Sequence, residues 1–300
     1  MKVKGTYKRS DIWLAFWLII PTLIAIGITA FYPLGQTIYD SFFKWSLKPG
    51  FEREFLGFQN YINLFQNPRF LSSLWNTIYF TFFSVLIEFL LGLGTALILN
   101  ADFKLRGLVR AAVLIPWAIP TAVSSQMWKW MYNDQYGVIS LMLYNLGILE
   151  EGTPILGTPG MAMSAIIAVD VWKTTPFVAL LLLAGLQIIP NELYEAARID
   201  GASIWKQFTS ITLPVLRPTI GVTLIFRTLD ALRVFDIVYI MTQGAVATET
   251  LAVYNRSLLM DNIFSPRGLF GYGSALSVVI FLIIGIFTLI YMRSLNIKLD

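Results

Sequence analysis

Cysteine and histidine are both missing from the 300 residues. Their absence removes disulfides, thiolate chemistry, haem ligation through imidazole and His-based proton relays. A metal site would have to use carboxylates alone, and no ligand cluster of that kind stands out. Charge is also scarce. Asp, Glu, Lys and Arg make up 13% of the chain, about half the share of a soluble domain. No Gly-Lys dipeptide occurs, which excludes a P-loop. No basic cluster accompanies a soluble domain, so nucleic acid is not an expected partner. No nucleophile–base pair is apparent, and no catalytic residue is assigned.

Apolar surface is abundant instead, at 56% of positions. A helix needs about 20 apolar residues to cross the hydrocarbon core, and helical backbone satisfies its own polar groups without water. Six segments qualify: 12–34, 74–99, 108–130, 161–189, 218–241 and 271–293. The fold class is therefore all-α integral membrane, with six transmembrane helices. The first run is too long for a signal core and lacks a small-residue cleavage site, so it reads as a retained span. The chain divides into an N-terminal segment 1–11, a first span with its outer loop 12–73, a core transmembrane domain 74–293 and a tail 294–300. A polar loop, 190–217, lies within the core domain.

Lys and Arg set the orientation. With the N-terminus inside, the inner segments hold Lys2, Lys4, Lys8, Arg9, Lys104, Arg106, Arg110, Arg198, Lys206, Arg217, Arg293 and Lys298. The outer loops hold Lys44, Lys48, Arg53, Arg69, Arg256 and Arg267. Both termini are expected in the cytoplasm. Residues 35–73 carry Phe42, Phe43, Trp45, Phe58, Tyr61 and Phe65, enough apolar surface to lie on the membrane or a partner. Residues 250–263 read as a short amphipathic helix between Gly244 and Pro266. Pro21, Pro33, Pro116, Pro120 and Pro176 fall in or beside spans. Two readings stand: kinks that line a pathway, or the ordinary frequency of proline in membrane helices.

Loop 190–217 carries the mechanism. Asn191 suits an N-cap, and Glu192 and Glu195 lie where the helix dipole favours carboxylates. The helix runs through Ala196 and Ala197 to Asp200 and stops at Gly201, a natural C-cap. A helix merely resting on lipid would carry Lys and Arg on its polar face. This one is acidic, so anionic lipid repels it, and docking on a protein groove is the better reading.

Ionisable residues in spans usually face a cavity or a partner. Glu88 follows Ser84 by one turn. Asp170 and Lys173 share a face, with Thr174 and Phe177 one turn on. Arg227, Asp230, Arg233 and Asp236 alternate in sign. Arg233 and Asp236 are read as interhelix pairing that fixes the bundle. For Asp170, Lys173, Arg227 and Asp230, pathway and scaffold both stand. Trp13, Trp17, Trp75, Trp128 and Trp130 lie near span ends, where interfacial anchoring explains them. Trp172 lies deeper and is the better candidate for stacking on a solute.

Glu195-Ala196-Ala197, three residues, Gly201, nine residues, then Ile211-x-Leu213-Pro214 resembles the EAA loop of ABC importer permeases in order and spacing. Phe58-Gln59-Asn60-Tyr61, Leu114-Ile115-Pro116-Trp117, Asp170-Val171-Trp172-Lys173 and Gly273-Ser274-Ala275-Leu276 resemble the carbohydrate-uptake branch, in its larger permease type of the maltose, trehalose and glycerol-phosphate kind. The resemblance covers residues 12–293. Gly244-Ala245-Val246 departs from the family's Gly-Gly-Pro. The resemblance implies a type I importer permease fold in a prokaryotic inner membrane. It implies a second homologous permease subunit, two cytoplasmic ATPases that bind ATP and Mg, and an extracytoplasmic sugar-binding protein. This chain itself would hold no cofactor. The coupling residues implied are Glu195, Ala196, Ala197, Asp200 and Gly201. The implied substrate pathway joins Ser84, Glu88, Asp170, Lys173, Thr174, Phe177, Arg227, Asp230, Ala231 and Val234, for a disaccharide such as trehalose or maltose. Two alternatives remain. One is an importer permease for another solute such as glycerol phosphate, which demands surplus in-span cations. The other is an ion-coupled secondary carrier, for which in-span carboxylates are coupling sites.

Overall fold

The computed structural model describes residues 9–245, 247–261 and 269–294. Residues 1–8, Val246, the end of the expected 250–263 helix with Pro266 and Arg267, and the tail from 295 lie outside the described residues. Among those described, five helices are long and apolar enough to cross a membrane, and six if one bent pair counts as a span.

The chain groups into two compact units, Met1–Gln66 with Arg256–Val279, and Asn67–Asn255 with Ile280–Asp300. A later segment thus joins the N-terminal part. In the first unit, α1 (Arg9–Ile26), a π-helical turn (Gly27–Phe31) and α2 (Tyr32–Asp40) follow without a break. The span continues past Leu34 because Pro33 sits in the first turn of α2, where its missing N–H is harmless. A two-stranded hairpin pairs β1 (Phe43–Lys44) with β2 (Glu54–Phe55), Phe43 opposite Phe55. Next comes α3 (Gln59–Gln66). The Asn60 side-chain amide donates to the carbonyls of Ser41 (2.8 Å) and Phe43 (3.0 Å). Phe270 and Gly271 donate backbone N–H groups to the Trp45 carbonyl. Gly271 lies so close to the Phe43 carbonyl that a Cβ has no room.

The second unit begins with α4 (Pro68–Asn100), 33 residues long. At 1.5 Å per residue it exceeds the hydrocarbon thickness, so part of it stands outside the core. Its first turns hold an outer segment in place. Glu249 accepts from Arg69 at 2.7 and 2.8 Å and from Ser73 at 3.3 Å, and its carbonyl accepts from Asn76. That segment includes α13 (Leu251–Arg256), which runs on as a π turn (Ser257–Asp261).

The third expected span is broken. Helices α5 (Arg106–Ala118) and α6 (Thr121–Met131) meet at 85°. Ile119 is forced extended by Pro120, which stops α5. Then follow α7 (Val138–Asn145), α8 (Met161–Leu186), α9 (Asn191–Ile199) and α10 (Ile204–Gln207). A π turn (Phe208–Thr212) leads into α11 (Leu213–Leu232), and α12 (Asp236–Thr242) is separate. The helical run that contains the fifth span is Ile204–Leu232, so the span ends at Leu232 and not at the expected 241. Helix α14 (Leu269–Ser294) closes the described chain.

Helices α4, α8 and α11 form the centre of this unit. One apolar cluster gathers Phe80, Val85, Ile166, Val169, Ile237, Val238 and Met241. Another gathers Ala96, Leu99, Val178, Leu182 and Leu216. Glycines let the backbones approach: a Cβ on Gly92 would meet Val178 at 2.6 Å, and one on Gly185 would meet Leu216 at 2.7 Å.

Candidate functional site

Between the two apolar clusters, each central helix contributes a charge. Arg227 of α11 donates through both arms to the Glu88 carboxylate of α4, and its Nη2 reaches Asp170 of α8 at 2.9 Å. Glu88 is fully buried, Arg227 nearly so, and Asp170 mostly. Without water at this depth, a bidentate guanidinium–carboxylate pair is the geometry that satisfies both ions. Thr174 donates to the Asp170 carbonyl at 2.6 Å, one turn back.

Above this triad opens a cavity of about 340 Å³, lined by Trp117, Thr121, Asp170, Lys173, Thr174, Arg227, Asp230, Arg233, Val234, Phe235, Asp236 and Ile237. Its three cations are engaged. The Lys173 ammonium donates to the carbonyls of Ile119 (2.7 Å) and Trp117 (3.3 Å), at the break between α5 and α6. Arg227 serves Glu88 and Asp170. Arg233 donates to Asp230 at 3.0 Å on its own helix.

Six of the expected pathway residues thus share one cavity: Asp170, Lys173, Thr174, Arg227, Asp230 and Val234. Glu88 touches it through Arg227. Phe177 stands behind the wall, stacked on Trp117 at 5.5 Å. Ser84 is fully buried in α4, and Ala231 packs in the apolar core, so neither lines the cavity. Several expectations need correction. Arg233, which caps α11, pairs back with Asp230 of that helix and not across helices. Trp172 packs edge-on against Trp128, away from the cavity, and Trp128 itself packs on the core. Trp117, Thr121 and Phe235 were not singled out as site residues. The Pro116 and Pro120 flanks were the signal for Trp117 and Thr121, because a broken helix exposes what it carries.

The polar loop makes a second feature. Asn191 is the first residue of α9, preceded by Pro190 at the cap without a side-chain bond, so Asn191 is not the N-cap. The other end closes as a Schellman turn: Ala202 donates to the Ala197 carbonyl and Gly201 to that of Arg198. Gly201 holds φ +75° with nothing within 4 Å of a built Cβ. Its requirement is conformational, not steric. Ser203 caps α10 by accepting from the Lys206 N–H. The Tyr194 hydroxyl meets Thr212 at 2.9 Å and fixes α9 to the foot of α11. Glu195, Ala196 and Asp200 are exposed, and Ala197 is half-buried. Around them Ile199 (87%), Ile204 (86%) and Trp205 (72%) are open in the isolated chain.

Residues 88–299 match the family described as binding-protein-dependent transport system inner membrane component. The trehalose/maltose transport system permease protein MalF of Thermococcus litoralis is 45% identical over 289 residues, covering 95% of this chain and 95% of that protein. The sulfoquinovosyl glycerol transport system permease protein SmoG of Agrobacterium fabrum is 42% identical, covering 96% of this chain and 92% of that one. In fold, the chain is similar to the crystal structure of a bacterial ABC transporter involved in the import of the acidic polysaccharide alginate. That match has a TM-score of 0.81 and 24% identity, over 96% of each chain.

Proposed function

Because the chain belongs to the family of binding-protein-dependent transport system inner membrane components, we propose that it forms half of the translocation pathway of an ATP-driven sugar importer and couples to a cytoplasmic ATPase through α9. As an ABC importer permease it is a transport subunit, not an ATPase. A second homologous permease, two ATPase subunits holding ATP and Mg, and an extracytoplasmic sugar-binding protein complete the assembly. Both termini face the cytoplasm of a prokaryotic cell.

The observation that carries the sugar reading is the cavity at the triad. Its ionic groups pair largely with one another or with the backbone, Arg227 with Asp170, Arg233 with Asp230 and Lys173 with two carbonyls, and they share the wall with hydroxyls and aromatic rings. Such a wall suits a neutral polyhydroxylated solute. The wall balances Lys173, Arg227 and Arg233 against Asp170, Asp230 and Asp236, without the surplus positive charge a phosphate ester needs, which disfavours the glycerol-phosphate alternative. The relative named for trehalose/maltose transport agrees with a neutral disaccharide.

Coupling follows from the geometry of the loop. Glu195 lies exposed on α9, and Tyr194 of the same helix is bonded to Thr212 at the foot of α11. A pull on α9 is therefore transmitted to the helix that carries Arg227. Substrate biases the two access states by differing affinity for them. Vesicles holding the assembled importer test the reading. Uptake of trehalose or maltose should require ATP, the ATPase and the binding protein. Uptake by this chain alone, without nucleotide, overturns it in favour of a secondary carrier.

A further inference from the structure

We propose that α3 lies in the membrane–water interface beside the first span, with Phe58, Ile62 and Phe65 immersed among the lipid headgroups and upper acyl chains. The anchor is independent of the solute carried.

The spacing of the side chains comes first. Phe58 opens the helix by accepting from the Ile62 N–H, so it shares the register of α3 (Gln59–Gln66). Phe58, Ile62 and Phe65 fall at i, i+4 and i+7, which is one stripe of a helix. They are 69%, 47% and 55% exposed. Gln59, Asn63 and Gln66 make a second exposed stripe at matching intervals, turned about 100° from the first. Gln59 donates to Asn63 at 2.8 Å within it. The remaining sector faces the protein. Asn60 and Leu64 are buried there, the Asn60 amide bonds the Ser41 and Phe43 carbonyls, and the Tyr61 hydroxyl meets that of Ser41 at 2.6 Å. A helix between protein and water needs two kinds of face. This one has three, and the third is apolar and open.

Position selects lipid as the cover. The bonds from Asn60 and Tyr61 tie α3 to the residues just after Asp40, where the first span ends. Aromatic surface then runs from the span toward α3. Tyr39, in the last turn of α2, packs on Phe43 at 4.8 Å, and Phe43 packs on Phe55 at 5.3 Å. The adjacent Phe42 packs on Phe58 at 5.4 Å. Tyr39 and Phe55 are exposed as well. Aromatic side chains gather at this depth of a bilayer. Residues 56–66 carry no charge, while Lys44 pairs with Glu54 and Arg53 with Asp40. Burial of apolar surface is therefore what holds α3 down, and an amphipathic helix does this by lying flat with its apolar face roughly 5–10 Å into the headgroup boundary. The exposed surface splits between amides and rings, as a helix on a lipid–water boundary requires.

The test uses the complete importer in vesicles of phosphatidylcholine and phosphatidylglycerol, with companion subunits free of cysteine. The introduced thiol is then the sole one, since this chain has none, and it carries a bimane fluorophore. Phe58→Cys, Ile62→Cys and Phe65→Cys report on the apolar stripe, and Gln59→Cys, Asn63→Cys and Gln66→Cys on the amide stripe. Lipid bearing a nitroxide high on its acyl chain should quench the apolar stripe at least about threefold more than the amide stripe, and aqueous iodide should do the reverse. As a second measure, Ile62→Glu should at least halve the lipid quenching of bimane at position 58, while Asn63→Glu should leave it unchanged. Equal lipid quenching of the two stripes overturns the proposal, as does iodide reaching both alike. Protection of the apolar stripe from both quenchers also overturns it, and shows that a protein subunit sits there; if this protection needs added sugar-binding protein, that protein is the occupant. None of these outcomes bears on whether trehalose or maltose is carried.

Discussion

At the scale of single residues, Arg227 decides whether the centre of the bundle holds together. It bonds two carboxylates, so one guanidinium serves two acids. Glu88→Gln keeps the shape and leaves Arg227 paired with Asp170. Arg227→Met strands two buried acids beside each other. Losing one partner of a buried pair costs about 3–5 kcal/mol. The unfolding midpoint of the detergent-solubilised protein should therefore fall far more for Arg227→Met than for Glu88→Gln. Equal midpoints would remove the triad from the account of stability. The charges themselves were legible in the sequence, because an ion in an apolar run is conspicuous. Their partners were not. Glu88 and Arg227 lie 139 positions apart, and nothing local says which helices face each other. Arg233 illustrates the same limit. Its neighbours at i−3 and i+3 are both aspartates, and only the end of α11 at Leu232 leaves it with Asp230.

Elements add a constraint that residue types do not show, namely where a helix stops. The spans were visible as apolar runs because length alone identifies them. The ends were less visible. Nothing in Arg233-Val234-Phe235 breaks a helix by composition, yet α11 ends there and the cavity wall turns. The 85° break at Ile119–Pro120 was flagged by two prolines, but the ammonium that bonds its open carbonyls, Lys173, comes from another helix. Gly201 shows the converse, a stop signal whose mechanism is now explicit. Its φ of +75° admits a side chain without collision, so the penalty is conformational strain, about 1–2 kcal/mol for most residues and less for Asn. Gly201→Asn should retain most ATP-dependent uptake, while Gly201→Val should lose most of it with the spans intact. Equal uptake in both would detach coupling from this turn. Packing offers a parallel case. Gly185→Leu has to displace Leu216 and Thr219, wedging α8 from α11. Its thermal stability should fall by several kcal/mol, as overpacking in a close helix contact requires. An unchanged midpoint in detergent would show that the two helices yield without cost.

For the whole molecule, the decisive question is which side of the membrane α9 occupies and what covers it. The proposed orientation, resting on the Lys and Arg distribution, puts it with the termini in the cytoplasm. The proposed docking of an ATPase accords with its surface: Ile199, Ile204 and Trp205 stand open around Glu195 and Asp200, and exposed apolar surface rimmed by charge suits a partner site. The missing cysteines make this directly measurable, since any introduced thiol is the sole thiol in the chain. Ile199→Cys places one on the loop, and Glu151→Cys places one in the segment between α7 and α8. In intact cells a membrane-impermeant maleimide should label position 151 and spare position 199. In opened membranes stripped of ATPase, position 199 should become reactive. Adding back the ATPase should protect it again, while position 151 stays reactive throughout. Reversed labelling in intact cells would invert the orientation. Label at position 199 that is indifferent to the ATPase would move the docking site elsewhere, because a thiol with so little cover of its own can be shielded there only by another chain.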